Sequence, residues 1–254
     1  MRWRKSHSAS VDEENPYWMS FSDMMSALLV VFILASVILI LRLLEIQKEL
    51  EQRKVQFEQE LVELKKAEEV RRTILDEAVE ELRQRGIKVE ISENHTVLRI
   101  PNELLGFDTG EYELQPRYAS TALEIGLVLN QVISKDDRLA YLDTIFIEGH
   151  TDNRPFPGFM GKGNWGLSTF RAISLWQFWS SALAEEQRLN RMRNVDGDPL
   201  FSVSGYGETR PVNGQQLTED DFRVNRRIDI RFTIRRPASA DYEGVRELLR
   251  GAAQ

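Results

Sequence analysis

The chain has 254 residues and a formal net charge of −7. That length leaves room for one soluble domain beside an anchor and a spacer, and the acidic balance argues against a nucleic-acid surface. There is no cysteine, and the three histidines (His7, His95 and His150) stand at no metal-ligand spacing, so disulfides, thiolate sites and zinc sets are excluded.

Residues 1–14 form a short polar tail. Asn15 and Pro16 read as an N-cap and the first position of a helix. The stretch Met24 to Leu41 then has no charge and no proline. A hydrocarbon core of ~30 Å needs roughly 20 apolar residues in a helix, and Tyr17 and Trp18 stand at one mouth, where amphipathic rings favour the headgroup region. Arg2, Arg4 and Lys5 would suit the start of a signal peptide. However, the apolar run is too long, and it is followed by Arg42-Leu43-Leu44-Glu45 instead of a small-residue cleavage site. Residues 15–44 are therefore expected to be an uncleaved, single-span anchor.

That span carries one carboxylate, Asp23. A charge inside a spanning helix costs about 2.5–3.5 kcal/mol on insertion scales, and it usually faces a partner or a water-filled path. Counted back from Arg42, ~30 Å of hydrocarbon places Asp23 at or just inside the boundary. A solvated position among the headgroups, favoured by the helix N-terminus, and a fixed contact to a partner helix both stay open.

From Glu45 to Arg85 the sequence has no glycine or proline, and Leu50, Phe57 and Leu64 recur every seven residues. Leu75 and Leu82 resume the period after a gap of eleven. This interrupted heptad predicts a coiled-coil stalk with a local change in supercoil. A solvated single helix held by Glu/Lys pairs is the alternative. Gly86 ends the stalk.

Residues 86–236 read as one domain. "IKVEI" and "TVLRI" alternate as two strands around the turn Ser92-Glu93-Asn94. Helical spacing covers Pro116 to Ile133, "LDTIFIEGH" reads as a buried strand, and Leu167 to Leu189 as a second long helix. "FSVSGYG" and "RIDIRFTIR" read as two further strands. The order predicts an α+β fold, a mixed sheet with helices on one face. Residues 237–254 form a tail, with a short helix around Val245 to Leu249.

Several motifs in this domain occur in one order: "IPNELLGFDTGEYELQP", "GHTDNRPFPGFMGKGNWGLSTFRA", "GYGETRPV" and "NRRIDIRF". Together they resemble the OmpA C-terminal-like peptidoglycan-binding domain, over about Ile87 to Ile234. With "SFSDMMSALLVVF" in front, the chain resembles MotB-type stator subunits. Within that group it is most similar to the ZorB family, the membrane subunits of Zorya anti-phage defence, because the long charged helix follows the anchor without a proline-rich linker.

The resemblance implies a binding site for diaminopimelate, whose side chain exposes an ammonium and a carboxylate. It assigns the anion to Asp152 and the forked cation to Arg171, since arginine grips a carboxylate bidentately where lysine cannot. Asn164 would supply amide hydrogen bonds, Leu167 an apolar wall, and Thr151 would orient the Asp152 loop. The loop "NRPFPGFMGKG" is longer than in the shortest members of that family. Alone, Arg171 would read as a structural ion pair with Asp152 or Asp229. Arg226 and Arg227 read as structural, with one of them open to the pocket. His150 reads as a packed, hydrogen-bonded residue, and Trp165, Trp176, Phe178 and Trp179 as core.

With no Cys/His pair and no GxSxG elbow, a binding role is expected and not an enzyme. The resemblance further implies that Asp23 binds and releases H⁺ or Na⁺, with no resident cofactor, which requires burial to raise its pKa. It implies a ZorA-like membrane subunit ring, a second copy of this chain and peptidoglycan as partners, and no nucleic acid. Basic residues flank both ends of the anchor, so their count does not orient it. A peptidoglycan binder must face the periplasm, which places the N-terminus in the cytoplasm of a single-pass inner-membrane protein.

Overall fold

The structure, a computed structural model, describes residues 16–107, 110–158 and 161–236. The polar tail and the helix expected around Val245 to Leu249 lie outside the described residues. Helix α1 is Pro16–Gln84, with proline at the position where a missing N–H removes no intrahelical bond. The chain divides into two compact units, residues 1–59 and 60–254.

In the first unit α1 carries one apolar segment long enough to cross a membrane, and none of it is buried. Asp23 is exposed within that segment. The Ser26 hydroxyl donates to the Ser22 carbonyl at 2.8 Å, one turn back around Asp23. Further along the helix, Leu50 and Phe57 are also exposed.

The second unit contains a five-stranded sheet in the order β1-β2-β5-β3-β4. The strands are β1 (Glu90–Ile91), β2 (Val97–Ile100), β3 (Leu142–His150), β4 (Phe201–Gly205) and β5 (Arg227–Ile234). Only β3 and β4 pair in parallel; the other neighbours are antiparallel. Alternation decides the faces. Ile228, Ile230 and Phe232 enter the core with Leu98, Ile100, Ile145 and Ile147, while Arg227, Asp229 and Arg231 line the opposite face with Arg99, Glu148 and His150. Helices α2 (Ala119–Ile133) and α3 (Gly163–Ala182) cover the apolar face. Ile125, Leu129, Leu175 and Trp179 are fully buried there. The result is a mixed sheet with helices packed on one face, as the strand and helix order predicts.

Two parts differ from expectation. Ile74, Leu75, Ala78 and Leu82 of α1 are completely buried in this same core. Leu75 and Leu82 therefore do not continue a stalk seam; their i, i+7 spacing marks a face buried in the same core as residues of α2 and the sheet. Glu77 holds the same turn in place. Its Oε1 accepts from Arg138 Nη2 at 2.6 Å, and its Oε2 from Arg138 Nη1 at 3.0 Å and Lys135 Nζ at 2.8 Å. The helix then stops where expected. Ile87 N–H donates to the Leu82 carbonyl at 2.9 Å and Gly86 N–H to Arg83 at 3.0 Å. Gly86 has φ +77°, so this is a Schellman end that favours glycine.

The second long helix also differs: α3 begins at Gly163 and ends at Ala182. Leu183 is already extended, and short 3₁₀ turns at Glu185–Gln187 and Leu189–Arg191 follow in place of further helix. Trp165 lies on the first turn of α3 and is exposed, unlike Trp179. A short helix, α4 (Glu219–Asn225), has no counterpart in the sequence reading. It is set by a capping box in which Thr218 and Asp221 exchange side-chain and backbone hydrogen bonds.

Candidate functional site

One cleft lies where the parallel strands β3 and β4 end and α3 begins. Its position follows from a close approach of helix to strand. A Cβ on Gly149 would sit 1.9 Å from the Ser168 carbonyl oxygen, so only glycine lets α3 press on β3 here. Two hydrogen bonds then hold the strand ends together: Thr151 N–H to the Gly207 carbonyl at 2.9 Å, and Tyr206 N–H to the Gly149 carbonyl at 3.0 Å. The Ser168 hydroxyl accepts from Gly207 N–H at 2.9 Å and pins the β4 end to α3.

Chain geometry then brings the sequence-derived residues together. Thr151 and Asp152 emerge from the end of β3. Asn164, Leu167 and Arg171 are spaced i, i+3, i+7 and share one face of α3. All five line the same cleft, with Arg154, Phe156 and Arg226 among its other walls.

Asp152 is buried and already carries four hydrogen bonds. Its Oδ2 accepts from Arg154 Nη2 at 2.8 Å, Arg154 Nε at 3.2 Å and Arg226 Nη1 at 2.8 Å. Its Oδ1 accepts from the Arg154 backbone N–H at 3.1 Å. Burial pushes this carboxyl up, but the hydrogen bonds from Arg154 and Arg226 outweigh burial and hold it below its ordinary value. Asp152 is thus ionised at neutral pH. The other two arms of these arginines meet on Glu219, with Arg154 Nη1 at 2.9 Å and Arg226 Nη2 at 2.8 Å. Asp152, Arg154, Glu219 and Arg226 close a ring of alternating charge.

Arg171 is 1% exposed. Its Nε donates to the Glu111 carbonyl at 2.9 Å, and its guanidinium lies 5.2 Å from the Phe107 ring centroid. Burial, and then the charge of Arg226, pull its pKa down to about 10, against the pull of Asp152 and Glu111. It remains a cation at neutral pH. The expectation of an isolated pair with Asp152 or Asp229 does not describe these carboxylates. Asp152 takes Arg154 and Arg226, and Asp229 takes Arg227 and Arg99.

The smaller groups complete the walls. Asn164 Nδ2 donates to the Arg154 carbonyl at 3.0 Å, tying the long loop to α3. Leu167 is buried beneath. The Thr151 hydroxyl is buried and has no hydrogen-bond partner among the described residues. Buried hydroxyls are rarely left so, and Thr151 is one of the residues that line the cleft. Among the described residues three arginines and one aspartate line the cleft, and Glu219 pairs with two of those arginines, which leaves the charge of Arg171 in excess.

The sequence reading left out Arg154; of Arg226 and Arg227, which it took as structural with one of them open to the pocket, Arg226 lines the cleft. His150 is packed as expected, stacked on Tyr206 with ring centroids 5.5 Å apart. However, neither ring nitrogen has a hydrogen-bond partner among the described residues. Burial, followed by the charge of Arg227, holds its pKa down to about 2, so it is neutral.

No known family model matches the chain. The uncharacterized protein YtxE of Bacillus subtilis (strain 168) is 26% identical over 247 residues, which is 89% of this chain and 92% of that protein. Motility protein B of the same organism is 30% identical over 124 residues, 49% of this chain. Over just under half of its length, the chain is similar to Motility protein B. The match spans only 40% of that protein. Among solved structures, a putative MotB like protein from Desulfovibrio vulgaris superposes with a TM-score of 0.49 at 22% identity, covering 68% of this chain and 99% of that one.

Proposed function

We propose that the chain is a MotB-like, membrane-anchored subunit that holds diaminopimelate-type peptidoglycan in the cleft at the end of β3. One observation carries this reading. Thr151, Asp152, Asn164, Leu167 and Arg171, separated by up to twenty positions in sequence, converge on a single cleft. Buried Arg171 supplies a cation for the side-chain carboxylate of the stem peptide, and Asp152 an anion for its ammonium. The unpartnered Thr151 hydroxyl and the Leu167 wall complete the contact. The cleft is assigned binding and no chemical step.

A wall-binding domain faces the periplasm, which places the apolar segment of α1 in the inner membrane and the N-terminus in the cytoplasm. Asp23 in that segment is assigned the carriage of H⁺ or Na⁺, as in MotB-type stators. Exposed Leu50 and Phe57 give a second copy of the chain an apolar surface to cover. The finer reading is a ZorB-type subunit working with a ZorA-like ring in anti-phage defence. Its support is the charged helix that runs from the apolar segment without a proline-rich linker. The similarity to Motility protein B favours a second reading, a flagellar stator.

The wall-binding claim is tested by co-sedimentation of the full chain, in detergent, with purified diaminopimelate-type sacculi. Wild type should pellet with the sacculi, and a folded Arg171→Ala variant should stay in solution. Equal pelleting of the two would remove the assignment. Phage protection and swimming, each scored with Asp23→Asn at normal protein levels, separate the finer readings. Loss of one phenotype names the system, and full activity in both would leave only a passive tether.

A further inference from the structure

On the premise that the cleft binds the stem peptide, we propose that Arg154 is a built-in occupant of the ammonium position, which the wall ligand must displace. The carboxylate of Asp152 offers about four acceptor directions in all. Four donors already engage it: Arg154 Nη2, Arg154 Nε and Arg226 Nη1 on Oδ2, and the Arg154 backbone N–H on Oδ1, so Oδ2 is fully taken and one direction on Oδ1 is left. An incoming ammonium can therefore bond to Oδ2, and so grip the carboxylate fully, only if one guanidinium leaves it.

The structure singles out which one. Arg226 is 8% exposed and is clamped between Asp152 and Glu219 at the end of α4. Arg154 belongs to the loop after β3, and a third of its side chain is open to solvent. It also has somewhere to go. Its Nη1 is already on Glu219 at 2.9 Å, and its guanidinium lies 4.5 Å from the centroid of the Phe222 ring, so rotation away from Asp152 keeps the salt bridge and the cation–π contact. Its loop neighbours stay tied down, because the Asn164 amide grips the Arg154 carbonyl and the Gln216 side chain accepts from Asn153 N–H at 2.9 Å. Only the side chain has to move.

In the occupied state the cleft presents Arg171 and, among the described residues, no carboxylate without a partner, so a ligand's carboxylate can engage before its ammonium. Full engagement then exchanges Arg154 for the ligand's ammonium on Asp152. Arg154 sets the threshold for holding the wall, and it also selects for ligands with a cationic group able to replace it.

The test uses the full chain in detergent and two preparations of diaminopimelate-type sacculi, one native and one with its free amino groups acetylated. Arg154→Ala and Arg154→Gln are compared with wild type and with Arg171→Ala, each checked for an unchanged thermal transition. Removing the competing charge-assisted hydrogen bonds should tighten binding to native sacculi by about tenfold in both variants. The gain should vanish on acetylated sacculi, where no ammonium is left to use Asp152. If both folded variants bind native sacculi no better than wild type while Arg171→Ala still abolishes binding, the occupancy idea is overturned and the wall-binding site stands. A gain that persists undiminished on acetylated sacculi also overturns it. If neither wild type nor either Arg154 variant is retained, the wall-binding reading itself falls.

Discussion

Cutting the chain at Gly86, the apparent start of the domain, should unfold it. The cut removes Ile74, Leu75, Ala78 and Leu82, all 0% exposed in the core. Three of these are large aliphatic side chains, and full burial of each is worth about 1.5–3 kcal/mol, or about 5–9 kcal/mol together. Typical domains have only about 5–15 kcal/mol in total, so the loss is comparable with the whole. Two fragments ending at Arg236 should therefore behave differently in urea followed by far-UV circular dichroism. The one starting at Glu60 should give a cooperative transition, and the one starting at Gly86 should give none, or a midpoint near zero denaturant. In the full chain, Leu82→Ala alone should cost about 2–5 kcal/mol. A Gly86 fragment within about 2 kcal/mol of the longer one would refute the assignment of this α1 segment to the core.

Three further outcomes follow from single contacts. Gly149→Ala would place a Cβ 1.9 Å from the Ser168 carbonyl, forcing α3 off β3. It should cost about 1–3 kcal/mol or more and weaken sacculus binding, as read by urea denaturation and co-sedimentation. Hydrogen bonds from Arg138 and then Lys135 hold Glu77 down to about 2. Its folded pKa is lowered, so its contribution is complete above the unfolded value near 4.5 and is lost as pH falls toward 2. The stability gap between wild type and Glu77→Gln should accordingly be constant from pH 8 to 6 and shrink between about pH 4.5 and 2. His150, held near 2 by burial and Arg227, should make unfolding easier as pH falls below about 6.5, where the unfolded chain takes up the proton. His150→Phe should flatten that slope between about pH 6.5 and 5, and an unchanged slope would place the titration elsewhere.

Much of the domain is legible because its strands alternate cleanly. In "RIDIRF" every second residue is aliphatic or aromatic, and those residues of β5, Ile228, Ile230 and Phe232, are buried in the core. Leu75 and Leu82 show what spacing leaves undecided. A repeat of seven marks an apolar face on a helix, and whether a second helix or the chain's own sheet covers it depends on partners far away in sequence. Helix α4 has seven residues, too few for periodicity to stand out, yet Thr218 and Asp221 carry a capping signal that could have found it. In the cleft, Asp152 and Arg171 could be read from a motif. The ring that joins Asp152 to Arg226 and Glu219 bridges more than sixty positions and has no local signature. Arg154 was closer to hand, since an arginine two residues after a loop aspartate can fold back on it.

The central claim is that Arg171 receives the side-chain carboxylate which distinguishes diaminopimelate from lysine in a peptidoglycan stem. The direct test is calorimetric titration of the full chain in detergent with two soluble muropeptides that differ only at that residue. A buried charge-assisted contact is worth about 1.5–3 kcal/mol, so the diaminopimelate form should bind roughly 10- to 100-fold tighter. Arg171→Ala should bring its affinity down to that of the lysine form. Equal affinities for the two muropeptides in wild type, or a preference that survives Arg171→Ala, would contradict the account.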